Sequence, residues 1–272
     1  MLGGSWIIRS RENKSVFLYP DLSTALVGDF SSSGSLESEA EVAEVVGISS
    51  QGGIITPVLR SLGSRIPVPE PSSSETFLNQ PFVKDPFESL HVEVKQSLIP
   101  GAGEGLFTTR RIRAGQLISF FAGVKVEVSG ELSEESDYTI SLENGVMLDI
   151  PPSLRSTYCG TLGHKACHSF QPSARYSYAD HPRFGRIRSI SALHDMEPGE
   201  EVTTDYRYSL RKAPDWYRDC LLRYLVEHRE LSRMEAEAYI NDIANTKENQ
   251  HSTIEDKIDH ISSAVDKTKL IT

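Results

Sequence analysis

The chain has 272 residues, of which 38% are hydrophobic and 24% charged, and this globular composition excludes wholesale disorder. The 28 Lys and Arg residues are outnumbered by 38 Asp and Glu residues, so the formal net charge is −10, which argues against direct DNA binding and suits a basic peptide partner better. No apolar run reaches the roughly 18 residues of a membrane span, and three cysteines are too few for a disulfide scaffold.

Short β-strands and loops are predicted for residues 1–65. Residues 16–19 and 24–30 have the pattern of two strands joined by a turn at Pro20-Asp21, because proline presets the turn backbone and aspartate bonds its own backbone in turns. Residues 66–81 are rich in proline and serine, which cannot build a core, so this stretch is predicted to be a linker.

Alternating apolar residues predict several more strands within residues 82–210, which we expect to form the main domain. The alternation runs through 117–128, 138–150 and 202–208, and Asn144-Gly145 marks a hairpin turn because both residues tolerate positive φ. Tyr206 and Tyr208 are two positions apart in the last run, so they are expected to face the same side of a strand. No long helix separates these strands, which favours a mainly β fold over an alternating α/β sheet.

Helices are predicted only late in the chain, in a helical segment at residues 211–246. Leu221 and Leu225 begin an apolar stripe with helical spacing, which Met234 and Tyr239 would continue in the same helix. The tail at residues 247–272 has a capping box and an apolar seam, which indicate either a short helix packed on its own protein or a partner-binding coil. The seam consists of Ile254, Ile258, Ile261 and Val265.

Three glycines lie close together at residues 101–105, where they would let a ligand approach the backbone. A dinucleotide-binding loop requires a helix directly after the glycines, whereas a strand is predicted here. The alternative is a tight loop without a ligand.

Further candidate residues follow in the second half of the chain. Cys159, His164, Cys167 and His168 do not have a common zinc spacing, and adjacent Cys and His residues seldom reach one ion together, so no metal site is predicted. Aromatic residues in the predicted strands indicate either a plain core or a pocket lined by tyrosines. They are Phe120, Phe121, Tyr176, Tyr178, Tyr206 and Tyr208.

Several segments together resemble the motifs of a SET domain, in the order in which that family has them. They are residues 103–107, 162–170, 181–185 and 200–206. Residues 213–217 resemble the C-terminal segment of the lysine methyltransferase type that carries MORN repeats before its SET domain. Residues 19–21 and 28–30 resemble the end of a MORN array.

This resemblance implies a mainly β fold of short β-sheets around a pseudoknot, with a C-terminal helix and a small N-terminal β region. S-adenosylmethionine would bind one face, and its methyl group would pass through a narrow channel to a lysine of a basic peptide. The peptide would be a histone H3 tail or part of a non-histone protein. The protein would act as a monomer, without direct contact with DNA or a membrane, in the nucleus and also in the cytoplasm. No Cys-x-Cys motif follows, so the zinc-binding type of SET protein is not expected.

The resemblance also implies roles for individual residues. Tyr206 occupies the position of the catalytic tyrosine, which also contacts the substrate, and Arg188 occupies a substrate-side position. The channel walls would be formed by Phe121, Tyr176 and Tyr208. The cofactor would be bound by Ala102, Gly103, Glu104, His164, Cys167, His168 and Trp216.

Two positions depart from the family pattern. Cys167 replaces an asparagine, and a thiol is a weaker hydrogen-bond donor and acceptor than an amide. The alternative function is therefore a catalytically impaired SET fold that acts as a peptide or protein binding module. Phe121 stands where the nearest relatives often have tyrosine, and the space left by the hydroxyl predicts products beyond one methyl. A third hypothesis is a scaffold that acts through its N-terminal repeats and its tail.

Overall fold

The computed structural model of the chain describes residues 6–9, 15–32, 34–51, 54–67, 82–126, 138–142 and 146–245. Within these residues the chain forms mostly β-structure with three α-helices. The strands are β1 (Trp6–Arg9), β2 (Ser15–Leu18), β3 (Thr24–Gly28), β4 (Ala40–Gln51), β5 (Ile54–Ile66), β6 (Val92–Gln96), β7 (Glu104–Thr108), β8 (Leu117–Phe121), β9 (Val124–Val126), β10 (Ile140–Ser141), β11 (Met147–Asp149), β12 (Cys167–His168), β13 (Ala174–His181), β14 (Gly185–Ala192) and β15 (Glu201–Thr204). The helices are α1 (Pro86–His91), α2 (Asp215–His228) and α3 (Arg233–Asn245).

The N-terminal strands form an antiparallel sheet in the order β1-β2-β3-β4-β5. The predicted strand, turn and strand around Pro20-Asp21 are confirmed, since β2 pairs with β3 and Leu18 lies opposite Ala25. The turn closes with Leu22 in the left-handed region at φ 56°. Of the predicted linker, Ile66 belongs to β5 and is buried, while residues 68–81 lie outside the described residues.

The later strands form two further sheets, one with the order β10-β11-β9 and one with the order β6-β7-β15-β13-β14-β8. The predicted hairpin strands pair as expected, with Ile140 opposite Leu148, although the Asn144-Gly145 turn itself lies outside the described residues. Two short parallel pairings join distant parts of the chain. His168 and Ala174 each lie opposite Thr204, which places β12 and β13 beside β15.

The chain divides into two compact units. The first contains the described residues up to His168 and from Pro172 to Thr204, and the second contains Ser169–Gln171 and the described residues from Asp205 onward. In the first unit the N-terminal sheet shares a core with later elements, since Tyr19 stacks on Phe87 of α1 with ring centroids 5.4 Å apart. The domain boundaries expected from the sequence stay predictions.

The helical prediction needs two corrections. The single late helix is wrong, because Glu230 adopts φ 55° and the chain begins a new helix after Ser232. Ser232 Oγ accepts from the Glu235 N–H at 3.3 Å and Glu235 Oε2 accepts from the Ser232 N–H at 2.8 Å, which is a capping box visible in the sequence. Helix α1 was missed, although Asp85 before Pro86 is an N-cap followed by proline at the first helical position.

The expected strand over residues 202–208 is also wrong in its second half. Strand β15 ends at Thr204, and Arg207 lies in the left-handed region at φ 53°. Asp205 Oδ1 accepts from the Arg207 N–H at 2.9 Å, so an aspartate turn replaces the strand ladder. Tyr206 and Tyr208 are therefore positioned by a turn.

The helices in the described ranges include none with the length and apolar character needed to cross a membrane. The apolar seam predicted in the tail lies within residues 246–272, which are outside the described residues.

Candidate functional site

The glycine loop before β7 has an open surface. Gly101 and Gly103 adopt φ 82° and 78°, and no heavy atom lies within 4 Å of the position that a Cβ would occupy at either residue. Gly105 differs, because a Cβ there would lie 2.5 Å from Glu201 Oε1. Strand β7 follows the loop directly, so no helix N-terminus is present to receive a pyrophosphate. The loop offers backbone groups to a ligand without the geometry of a dinucleotide site.

A pair of opposite charges stands next to this loop. Lys165 Nζ lies 2.7 Å from Glu104 Oε2 and also donates to the Arg155 carbonyl oxygen at 3.1 Å. The Lys165 side chain is 10% exposed, whereas the Glu104 side chain is 59% exposed. The ion pair thus places an exposed carboxylate beside the open backbone groups of the loop. Sequence reasoning missed Lys165, although it lies between His164 and Cys167 in the same motif.

Cys167 is buried against the strand that follows the glycine loop. Its Sγ lies 3.5 Å from the Glu104 carbonyl oxygen and 3.6 Å from Ser97 Oγ. Burial raises the pKa of the Cys167 thiol to about 11, because a low-dielectric environment disfavours the thiolate. At neutral pH this residue is therefore a neutral thiol, which does not suit a nucleophilic or redox cysteine.

The two histidines of this segment are neutral. Burial, assisted by the charge of Lys165, lowers the pKa of His164 to about 3, and burial lowers the pKa of His168 to about 4. The His164 ring packs among aromatic side chains, with its centroid 5.4 Å from that of Tyr158 and 6.3 Å from that of Phe121. The structure shows no group of three His, Cys, Asp or Glu side chains able to hold a metal ion among the residues it describes.

An aromatic cluster continues from His164. Phe121 at the end of β8 packs with Tyr158 and with the partly buried Tyr176 of β13. The Thr204 hydroxyl donates to the Tyr176 hydroxyl at 3.3 Å, so this tyrosine is fixed by β15. Phe121 and Tyr158 are buried, so these rings form a packed aromatic cluster.

Arg188 lies next to the aromatic cluster that contains Phe121. It lies opposite Phe121 in the pairing of β14 with β8. Its guanidinium carbon is 4.2 Å from the Tyr178 ring centroid, and its Nε donates to the Ser141 carbonyl oxygen at 2.6 Å. A stacked and hydrogen-bonded arginine keeps one conformation.

The second unit has its own aromatic cluster. The rings of Tyr206, Tyr208 and Trp216 meet edge to face, with centroids 5.9 to 6.2 Å apart. Tyr217, at the start of α2, is fully buried against Tyr208 and Phe170, and burial raises its pKa well above the usual range. Trp216 remains 42% exposed, so part of its ring surface is available to a ligand.

Comparison with known proteins identifies the fold. Residues 103–207 match the family model described as the SET domain. The chain contains a SET domain. The mainly β SET fold expected from the sequence is thereby confirmed, with two C-terminal helices where one was expected.

Three relatives of the SET chain are methyltransferases or SET proteins by name. The chain is 32% identical over 224 residues to histone-lysine N-methyltransferase SETD7 of Halocynthia roretzi, a match covering 75% of the chain and 56% of that protein. It is 28% identical to a variant-silencing SET domain-containing protein of Plasmodium falciparum, covering 70% of the chain and 8% of that protein. It is 25% identical to N-lysine methyltransferase KMT5A of Xenopus tropicalis, covering 46% of the chain and 40% of that protein. The chain thus spans about half or less of the length of these relatives.

The structure brings most of the predicted SET-site residues into the first unit. Contacts connect Glu104 with Cys167 and His164 with Phe121. The predicted residues in the first unit are Ala102, Gly103, Glu104, Phe121, His164, Cys167, His168, Tyr176 and Arg188. Those in the second unit are Tyr206, Tyr208 and Trp216. Their individual roles stay predictions.

Proposed function

We propose that this SET chain is a protein-lysine N-methyltransferase that uses S-adenosylmethionine. The observation that carries the proposal is the meeting, within the first unit, of the open glycine loop, the Glu104–Lys165 ion pair and buried Cys167. Two of the similar proteins are named as lysine methyltransferases, which supports the same chemistry for this chain.

The residues present fit the amino acid end of the proposed cofactor. S-adenosylmethionine carries an ammonium and a carboxylate, and the exposed Glu104 carboxylate beside the open backbone at Gly103 would meet the ammonium. When bound, the cofactor supplies a methyl group activated by a positively charged sulfur. Cys167 offers a neutral thiol, and His164 and His168 stay uncharged, so they add no positive charge that would oppose the sulfonium. Trp216, with part of its ring exposed, is the proposed cover for the adenine.

The substrate lysine must also lose a proton, which water can carry out of the channel, since only the neutral amine attacks. Lysine has a pKa of about 10.4, so its deprotonation near pH 7.4 costs about 4 kcal/mol. The apolar surface formed by Phe121 and Tyr176 lowers this cost, because desolvation disfavours the ammonium. Tyr206 is the proposed catalytic residue, whose hydroxyl orients the amine lone pair, and Tyr208 is a proposed channel wall.

The proposed substrate is a basic peptide, such as a histone H3 tail or a segment of a non-histone protein. The formal net charge of −10 supports a cationic partner, and Arg188 is the proposed substrate-side residue. We also propose that the protein acts as a monomer, without direct contact with DNA or a membrane, in the nucleus and the cytoplasm.

Calorimetry with S-adenosylmethionine, followed by an array of lysine peptides with labelled cofactor, tests the proposal. We expect cofactor binding and labelled peptide, and we expect Tyr206→Phe to lose turnover by at least about a hundredfold while it keeps its cofactor affinity. Turnover that is unchanged in this variant would overturn the assignment of Tyr206.

A second candidate function is a SET-fold binding module without catalysis, which the thiol of Cys167 favours because this residue is at a proposed cofactor position. Peptide binding without any cofactor binding would establish this module and refute the enzyme.

A further inference from the structure

Strand β8 lies at one end of its sheet and carries the proposed channel residue Phe121. In the part of the chain that the structure describes, β14 is the strand that pairs with β8, and the other edge of β8 faces no strand. Residues two positions apart direct their N–H groups to the same edge. Phe120 and Ala122 therefore need other acceptors, because a buried N–H without a partner is costly.

Two buried side chains supply these acceptors. The Phe120 N–H donates to Glu88 Oε1 at 2.7 Å, and the Ala122 N–H donates to the Thr161 hydroxyl at 2.9 Å. The Ser119 hydroxyl also donates to Glu88 Oε1, at 2.6 Å. Glu88 is 1% exposed and Thr161 is 0% exposed, so water cannot replace either acceptor. The two side chains hold the backbone on both sides of Phe121.

The helix that carries Glu88 is itself held in place. Glu88 lies on α1, whose N-cap Asp85 accepts from the Glu88 N–H at 3.0 Å. The second oxygen of Asp85 accepts from the Tyr19 hydroxyl at 2.9 Å and lies 3.0 Å from His181 Nε2. Helix α1 is thus anchored by the N-terminal sheet and by β13, so Glu88 reaches β8 from a fixed position.

The carbonyl side of Phe120 is equally restricted. A Cβ at Gly163 would lie 2.5 Å from the Phe120 carbonyl oxygen and 3.3 Å from Phe121 Cβ. The turn that carries Thr161 and Gly163 therefore packs directly against the β8 backbone. Such close packing leaves no room for β8 to move towards this turn.

We propose that Glu88 and Thr161 are positioning residues that fix Phe121 in the wall of the lysine channel and thereby set the number of methyl groups transferred. The inference rests on the proposed function, since it concerns the same channel. A small displacement of a channel wall changes the fit of a methylated amine, and misplacement of about 1 Å is enough to alter rates strongly.

The test compares conservative variants in the intact chain. Thr161→Val removes the hydroxyl at nearly constant volume, and Glu88→Leu removes both carboxyl oxygens, whereas Glu88→Gln retains an acceptor oxygen. Thr108→Val is the matched control. Thr108 lies in β7 and is also 0% exposed, and its hydroxyl donates to the Glu197 carbonyl oxygen at 2.6 Å. All variants are measured well below their melting temperatures.

We expect Thr161→Val and Glu88→Leu to speed hydrogen exchange at the amides of residues 120 and 122 by at least about tenfold. The same variants should change the ratio of mono- to dimethylated peptide, or the peptide KM, by at least about threefold. Glu88→Gln should stay near the wild type in both measurements, and so should Thr108→Val. Because Thr161→Val preserves shape, it tests the proposal even if Glu88→Leu does not fold.

Two failures are distinguishable. If Thr161→Val and Glu88→Leu lower only the melting temperature, as Thr108→Val does, the positioning role is overturned while the methyltransferase proposal stands. If the wild type binds the cofactor but methylates no peptide, the proposed function fails, and the role in the channel fails with it.

Discussion

The buried carboxyl group of Glu88 should make the stability of the protein depend on pH in a direction opposite to that of ordinary salt-bridged acids. Burial, together with the negative charge of Asp85, raises the pKa of Glu88 from 4.5 to about 8. Below pH 4.5 the group is neutral in both the folded and the unfolded chain. Between these values the unfolded chain carries a carboxylate, whereas the folded chain keeps the proton. Unfolding then releases a proton, so the free energy of unfolding falls as the pH rises.

The expected magnitude follows from this shift. Each pH unit within the window lowers the free energy of unfolding by about 1.4 kcal/mol, so the interval from pH 5.5 to 7.5 costs about 3 kcal/mol. Glu88→Gln retains the acceptor for the Phe120 and Ser119 donors but cannot ionise. The stability of this variant minus that of the wild type should therefore grow by about 3 kcal/mol from pH 5.5 to 7.5.

Urea denaturation of both proteins at the two pH values measures this difference. Glu93→Gln is the control, because the Glu93 side chain is 44% exposed and should show no comparable growth. A difference between Glu88→Gln and the wild type that changes by less than about 1 kcal/mol between the two pH values would refute the reasoning. That result would mean that the folded protein accommodates the charged carboxylate.

Three further substitutions test the site. Cys167→Asn should strengthen S-adenosylmethionine binding by about tenfold in calorimetry, because an amide offers more hydrogen bonds than a thiol, and weaker binding would contradict this. Phe121→Tyr should restrict the product to monomethyl-lysine in mass spectrometry, and an identical monomethyl product from both proteins would argue against the role of Phe121 in product choice. Gly163→Ala should destabilise the protein by about 1–3 kcal/mol through its clash with Phe120. Gly47→Ala should not destabilise the protein, because its Cβ would meet only Val58 at 3.9 Å. Equal melting temperatures for the two variants would exclude the clash at Gly163.

Local sequence patterns predict the strands around residues 16–30, 117–126 and 140–149, because alternation and turn chemistry act over a few residues, but they miss the two longest strands, β4 and β5. The hairpin strands around residues 140 and 148 follow from alternation, and the strand after Gly103 excluded a dinucleotide loop. The helix break after residue 229 was missed, although Ser232 and Glu235 have the spacing of a capping box. The strand predicted through Tyr206 is absent because the Asp205 carboxylate accepts from the Arg207 N–H and forms a turn. Alternation alone does not reveal such a turn.

The contacts that hold β8 could not be predicted from the sequence. Glu88 and Ser119 are 31 positions apart, and Ala122 and Thr161 are 39 apart. From the sequence alone Glu88 would be expected at the surface, since acids are rarely buried. Only the fold shows that it takes the place of a neighbouring strand. The motifs therefore predict a ligand-binding face, whereas the geometry of its proposed walls depends on side chains outside the motifs.

The surroundings of Cys167 decide how its replacement of an asparagine affects the proposed reaction. The nearby carboxylate of Glu201 already accepts from the Ser97 hydroxyl at 2.5 Å and from the Leu98 N–H at 2.9 Å. Glu201 thus has two donors besides the Cys167 thiol, which also interacts with it, so a cysteine fits the polar network beside Gly105. The hydrogen bonds lost with the amide are therefore those that would serve the proposed cofactor. We therefore expect that cysteine in place of asparagine weakens cofactor binding but does not disturb the fold around the proposed lysine channel.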